Sequence, residues 1–282
     1  MTLPQIKELF FERLQGLYPE TEIESLFYLI LEHHLGIKRI DLALRPELRT
    51  QVQDTDDFEK SLDQLARHRP IQYIMGQTEF AGMTFKVDES VLIPRPETEE
   101  LVHWITETAL HLTSPRILDI GTGSGCIPIS LSKRIQGAEV HALDISPMAL
   151  EIARDNARRL QAEVRFFQHD ILGPEELDLS YDVLVSNPPY VRKSEKGMMR
   201  DNVLKHEPEL ALFVDDEDPL LFYRRISEHA LRSVESGGYL FFEINEALAD
   251  RTIALLADGP FTDIEVKKDI YGKDRMIRAV KK

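Results

Sequence analysis

The chain has 282 residues, 43% of them apolar, and a net charge of −15, of which −6 falls in residues 1–94 and −9 in the remainder. That length suits one large or two ordinary domains, and the acidic balance of both parts offers no electrostatic footprint for nucleic-acid phosphates. No apolar run approaches membrane-spanning length, the start Met1 to Glu8 has no leader pattern, and the single cysteine, Cys126, excludes an internal disulfide and a cysteine-cluster metal site. The expectation is a cytoplasmic protein that holds no metal; His33 and His34 are adjacent on a helical segment and so do not share a face.

Residues 1–75 read as a helical bundle. Ile6, Leu9, Phe10, Leu14 and Leu17 recur at helical spacing. A second helix, Glu22 to Leu35, carries Ile23, Leu26, Phe27, Ile30 and Leu31 and ends at Gly36, a plausible C-cap. A third, about Thr55 to His68, uses Phe58, Leu62 and Leu65. None of these stripes carries a catalytic constellation, and core packing explains each of them.

Residues 76–94 change character. Phe80 to Val87 predicts a β-hairpin turning at Gly82, the natural linker to a second domain over 95–282. Pro96 opens a helix, and the glutamates behind it suit the helix dipole. From Arg116 the chain alternates. Strands are expected at Arg116–Ile120, Val140–Asp144, Val164–Phe167, Tyr181–Val185 and Gly238–Ile244, with helices at Cys126–Ile135, after Ser146, at Pro219–Val234 and at Ala247–Ala257. Two closing strands, Phe261–Lys267 and Met276–Val280, have no helix between them and must pair antiparallel. The fold class is α/β, a mostly parallel sheet with one reversed strand near its end.

Chemistry-bearing residues gather at the carboxyl ends of these strands, where open α/β sheets bind ligands. Gly121-Thr122-Gly123-Ser124-Gly125 turns the first of them into a helix, with glycines that let a ligand approach the backbone. The dinucleotide fingerprint needs its third glycine at position 126, which is Cys126, and the Lys-Ser/Thr of a phosphate loop is missing. Asp119 would repel a pyrophosphate but attract an ammonium or sulfonium. Asp144 is placed to take two ribose hydroxyls, and Asp170 could accept from an adenine amino group. Three such carboxylates describe a cationic, adenosine-bearing ligand. Asp119 could equally be a helix or turn partner, and Asp170 could start the turn into Gly173-Pro174. Ser186-Asn187-Pro188-Pro189-Tyr190 ends the fourth strand in a stiff turn. The prolines lack N–H groups, so the turn is rich in acceptors and suits a substrate NH2 group, although a lone Asn-Pro-Pro also serves as an ordinary strand-terminating turn.

Ile117 to Gly125 resembles the first motif of class I S-adenosylmethionine-dependent methyltransferases. With Asn187-Pro188-Pro189-Tyr190 it is similar to the group that methylates planar NH2 nitrogens of adenine, cytosine or protein glutamine. Arg69 to Gly76, Leu92 to Glu99 and His206 to Leu212 narrow the resemblance to the peptide-chain-release-factor glutamine N5-methyltransferase family, over nearly the whole chain and least over residues 1–60. The resemblance implies a Rossmann-like sheet, an N-terminal helical domain for substrate recognition, S-adenosylmethionine as cofactor and S-adenosylhomocysteine as product. It implies methyl transfer to the glutamine of a Gly-Gly-Gln loop in release factors. Cofactor contacts are expected from Asp119, Gly121 to Gly125, Asp144, Asp170, Ile171 and Asn187. Substrate contacts are expected from Arg95, Thr98, Asn187, Pro188, Pro189, Tyr190 and Glu207, with Asn187 to Tyr190 also catalytic.

An amide nitrogen is a poor nucleophile, so the expected mechanism is alignment. Asn187 and the carbonyl on the Pro188 side accept the two N–H groups, Tyr190 packs on the planar amide, and the segment Val191 to Asp218 covers the site. No strong general base stands beside the motif, and the acidic N-methylated cation can lose its proton late. The alternatives are a glutamine methyltransferase of a ribosomal protein and, against the acidic charge, an adenine-N6 nucleic-acid methyltransferase. A non-enzymatic helical adaptor fits residues 1–75 alone. The enzyme is expected to be a monomer with no direct nucleic-acid or membrane partner.

Overall fold

A computed structural model describes residues 2–45, 52–175 and 179–282, the side chains of 52–54 excepted. Its backbone divides into two compact units, residues 1–76 with 200–206, and residues 77–199 with 207–282.

The first unit contains α1 (Leu3–Leu14), α2 (Glu20–Leu35), α3 (Arg39–Leu44), α4 (Val52–Ala66) and α5 (Ile71–Met75). The apolar stripes close on one core in which Phe10 meets Phe27 and Phe58 edge-on, at ring separations of 5.5 and 6.2 Å. Gly36 ends α2 in the left-handed conformation, φ 63°, as its C-cap position requires. Leu17 departs from its expected place: it lies beyond α1, exposed. The short helices α3 and α5 had no periodic signature long enough to read.

The second unit opens with the hairpin β1 (Gln77–Phe80) and β2 (Met83–Lys86), turning through Ala81 and Gly82, both at positive φ. Phe80 and Phe85 are fully buried in the same cluster as α6 (Pro96–Thr108). The hairpin thus packs into this unit's core, because two apolar rings face inward. Beyond it come β3 (Arg116–Ile120), α7 (Cys126–Arg134), β4 (Glu139–Asp144), α8 (Pro147–Leu160), β5 (Val164–Gln168) and β6 (Tyr181–Ser186). The stretch 191–218 holds β7 (Val191–Arg192), α9 (Asp201–His206), α10 (Glu209–Leu212) and β8 (Phe213–Val214). Of these, α9 belongs to the first unit, where His206 Nε2 lies 3.2 Å from the Arg67 carbonyl. The chain ends with α11 (Leu221–Ser233), β9 (Val234–Glu243), α12 (Ala249–Ala257), β10 (Phe261–Lys268) and β11 (Asp274–Lys281).

The central sheet has the order β10-β11-β9-β6-β3-β4-β5, with β11 alone antiparallel to its neighbours, as the short closing link demanded. Both faces are buried. Leu118, Leu184 and Leu240 pack with Tyr223, Ile226 and Ala230 of α11, while Ile117, Val183 and Phe241 pack with Leu101, Trp104 and Ile105 of α6. Double burial explains why the strands read as continuous apolar runs. After β5 the chain returns to the other side of β3, so the crevice between β3 and β6 is the switch point of the sheet, where such folds bind ligands. Pairing of Ile120 with Ser186, and of Ser186 with Phe242, levels the carboxyl ends of β3, β6 and β9.

Candidate active site

The loop after β3 is shaped by three glycines in the left-handed region, with φ of 76°, 53° and 80° at Gly121, Gly123 and Gly125. A Cβ at Gly121 or Gly123 would meet nothing within 4 Å, whereas one at Gly125 would come within 3.0 Å of Ile129 and 3.1 Å of Ala153. The first two glycines thus leave space on the ligand side, and the third permits α7 to pack on α8. The loop is anchored from β4: Gly123 N–H donates to Asp144 Oδ2 and Ser146 N–H to Asp144 Oδ1, each at 2.9 Å. Asp144 keeps lone pairs on both oxygens. Burial raises its pKa and the backbone donors oppose that rise.

Asp119 is fully buried, and neither of its oxygens has a hydrogen-bond partner of acceptable geometry among the described residues; the same holds for the Thr122 hydroxyl. Burial pushes the Asp119 carboxyl up to about 7. An unpartnered acid in such a place costs stability unless a ligand supplies a cation or donors. Asp170 is exposed, and its Oδ1 accepts from Leu172 N–H at 2.9 Å, so it does start the turn; the second oxygen carries no such bond. Ile171 beside it is buried.

Asn187, Pro188 and Pro189 line one cavity of about 220 Å³ together with Gly121 to Ser124, Asp144, Asp170 and Ile171. Arg95 and Thr98, from the start of α6, line the same cavity. Four expected site residues stand apart from its wall: Asp119, Gly125, Tyr190 and Glu207. The half-buried Tyr190 ring packs against the apolar cluster of β9 and α11, and its hydroxyl donates to Glu243 Oε1 at 3.0 Å. Glu207, 5% exposed, accepts from Arg95 at 2.6 Å and from the Ile93 N–H at 3.3 Å. Its carboxylate is thus occupied in holding Arg95, and it is Pro208 that reaches the cavity. Gly125 packs below the loop and does not line the cavity.

Two polar residues at this site had no readable motif. Glu243, at the end of β9 and 1% exposed, accepts from the Thr98 hydroxyl at 2.6 Å as well as from Tyr190. Asn156 of α8, fully buried, donates to the Ser124 carbonyl at 2.9 Å and exchanges bonds with the Lys86 N–H and carbonyl at 2.7 and 3.0 Å. A glutamate ending an apolar strand would have been the only clue to the first; the second had none. Cys126 borders the cavity, with its thiol pushed up to about 12 by burial, which makes it a poor nucleophile.

The family model of the Methyltransferase small domain matches residues 98–210, and that of the PrmC N-terminal domain matches residues 8–76. The release factor glutamine methyltransferase of Flavobacterium psychrophilum is 48% identical over 99% of this chain and 99% of its own length. This chain belongs to the release factor glutamine methyltransferase family. A second member, from Bacteroides thetaiotaomicron, is 45% identical over 95% of this chain and 96% of its own. Among solved structures, a methyltransferase from Pyrococcus furiosus shares the fold of this family member, with a TM-score of 0.52, 17% identity, and coverage of 71% of this chain and 89% of that one. No helix among the described residues is long and apolar enough to cross a membrane, and no cluster of potential metal ligands occurs among them.

Proposed function

We propose that this enzyme transfers a methyl group from S-adenosylmethionine to the side-chain amide nitrogen of the glutamine in the Gly-Gly-Gln loop of peptide chain release factors. The observation that carries the reading is the meeting, in one cavity, of the glycine loop and the acceptor-rich Asn187-Pro188-Pro189 turn, in a chain related end to end to release factor glutamine methyltransferases. These relatives favour a release factor over a ribosomal protein or adenine as substrate.

The residues fit the cofactor. Asp119 is a buried acid whose oxygens meet no hydrogen-bond partner of acceptable geometry among the described residues, Asp144 keeps free lone pairs, and the space at Gly121 and Gly123 admits a ligand against the backbone. Asp144 takes the ribose hydroxyls, Asp119 the cationic amino acid end, and Asp170 with Ile171 the adenine. When bound, S-adenosylmethionine supplies an electrophilic methyl group on a sulfonium.

The chain's own task is to make an amide nitrogen nucleophilic by orientation. The Asn187 side-chain oxygen and the carbonyl on the Pro188 side accept the substrate's two N–H bonds, turn its lone pair toward the donor and favour the positive charge that grows on nitrogen. Two prolines keep those acceptors fixed, so no reorganisation is needed at the moment of transfer. Arg95, held by Glu207, lies on the substrate side. No general base is required, because the methylated amide cation is acidic enough to lose its proton to water. The first unit docks the body of the release factor. The enzyme works in the cytoplasm, as a monomer, on protein and not on nucleic acid.

The test is incubation of the purified chain with labelled S-adenosylmethionine and a release factor, followed by peptide mass spectrometry. One added methyl on the loop glutamine is expected; label confined to another protein or residue would sink the reading.

A further inference from the structure

We propose that Glu243 is a positioning residue for methyl transfer, fixing through the Thr98 hydroxyl which end of the Asn187 amide faces the substrate. The inference rests on the reading above and deepens it. Three side chains from separate elements form one chain of hydrogen bonds. Thr98 Oγ1, in the first turn of α6, lies 2.6 Å from Glu243 Oε2. Asn187 Nδ2, after β6, lies 3.4 Å from Thr98 Oγ1. Tyr190 donates to the second oxygen, Glu243 Oε1, at 3.0 Å.

An ionised carboxylate only accepts, and a hydroxyl has a single proton. The Thr98 proton is therefore spent on Glu243, and toward Asn187 the Thr98 oxygen can offer lone pairs alone. Only the NH2 end of the Asn187 amide can meet them. The opposite flip would set Asn187 Oδ1 against an acceptor. A side-chain amide has two ends of nearly the same shape, so steric packing alone does not choose between them. The direction is set by the proton inventory, and that inventory starts at Glu243. With Nδ2 turned to Thr98, Oδ1 is left for a substrate NH2. A flipped Asn187 would present a donor to a donor.

The placement of Glu243 follows from the sheet. Phe242 pairs with Ser186, and the residues that follow are Glu243, the last of β9, and Asn187, the first after β6. Thr98 is 2% and Glu243 1% exposed, so water does not compete for these bonds. Burial raises the pKa of the carboxyl, and the two hydroxyl donors and the charge of Arg275 oppose that rise. The same carboxylate holds Tyr190, so one buried charge braces both ends of the Asn-Pro-Pro-Tyr turn.

Thr98→Val keeps the volume and removes the relay, while Thr98→Ser restores the hydroxyl. Glu243→Gln offers one acceptor where the carboxylate offers two, which forces one hydroxyl to turn its proton elsewhere. For Thr98→Val and Glu243→Gln we expect kcat on the release factor to fall roughly 10- to 100-fold, less than the loss of a whole preorganised transition-state contact, because Asn187 itself remains. KM for the release factor and the calorimetric Kd for S-adenosylhomocysteine should stay within about threefold, because the loss is confined to the transition state. Thr98→Ser should recover most of what Thr98→Val loses, which a packing role would not produce. The Thr98 pair leaves the carboxylate in place and so tests the relay even where Glu243→Gln does not fold. Full activity of Thr98→Val beside an active wild type, or a serine variant as poor as the valine, would overturn the inference. An inactive wild type would instead overturn the reading on which it rests.

Discussion

Gly123 and Asp144, 21 residues apart, are joined by a hydrogen bond of 2.9 Å from the glycine N–H to the aspartate Oδ2. The residue expected to take the cofactor ribose therefore also holds the loop that shapes its site. Asp144→Ala removes both functions. S-adenosylmethionine affinity should fall by roughly 10- to 100-fold or more, as for lost charge-assisted hydrogen bonds. Calorimetry showing unchanged affinity would place the cofactor elsewhere.

Asn187→Ala removes the acceptor proposed to orient the substrate amide. Loss of one such contact is worth about 3 kcal/mol in the transition state, so turnover should drop by roughly two orders of magnitude. Cofactor affinity should change only a few-fold, because the proposed role of Asn187 is toward the substrate amide. Turnover close to wild type would remove this residue from the mechanism.

Asp119 predicts a proton linkage. Its carboxyl is raised to about 7 by burial, so the folded chain holds a proton that the unfolded chain loses near the ordinary carboxylate range. Its contribution to stability is therefore most favourable at low pH and declines as pH rises from about 4 toward 7. A cationic ligand beside it lowers the pKa, so cofactor binding near pH 6.5 should release protons and weaken as pH falls. Asp144, also raised, could add to the release; Asp119→Asn isolates the first. Calorimetry in buffers of different ionisation enthalpy measures the count, and equal proton release by wild type and Asp119→Asn would exclude this role.

Asn156 ties the glycine loop to the hairpin through Ser124 and both backbone groups of Lys86. Asn156→Leu removes the bonds of one buried and two half-buried backbone groups, and the buried one alone costs about 1–3 kcal/mol. Urea unfolding should show a loss of a few kcal/mol, with weaker cofactor binding in the folded fraction. Stability within experimental error of wild type would show that water or a loop shift replaces these bonds.

The proposed docking role of the first unit can be tested on its surface. Glu8 and Glu12 are exposed, one turn apart on α1. If an acidic face meets the release factor, the double change to lysine should raise KM for the whole factor several-fold, most at low salt. Activity on a short Gly-Gly-Gln peptide should hardly change. Substitution on α1 is preferable to deletion of residues 1–76, because α9 packs within the same unit and deletion would uncover it. Equal effects on factor and peptide would argue against docking.

Local chemistry made much of this protein legible in its sequence. Strands buried on both faces read as apolar runs, the glycine loop needs backbone freedom wherever it occurs, and Asn-Pro-Pro is stiff by its own covalent structure. These features identified the sheet, its reversed strand, and the residues from Gly121 to Ser124 and Asn187 to Pro189 that the fold brings to one cavity. Contacts between distant segments were decided only by the tertiary structure. Glu243 reads as a charge at a strand end until the pairing of Ser186 with Phe242 sets it between Thr98 and Tyr190, 145 and 53 residues away. Tyr190 and Glu207 carry motif positions, yet the fold engaged the first with Glu243 and the second with Arg95, because polar groups drawn out of water must find a partner wherever the chain supplies one. The hairpin joined a core for the same kind of reason: an apolar face is satisfied by whatever surface the fold brings to it, and sequence order does not say which.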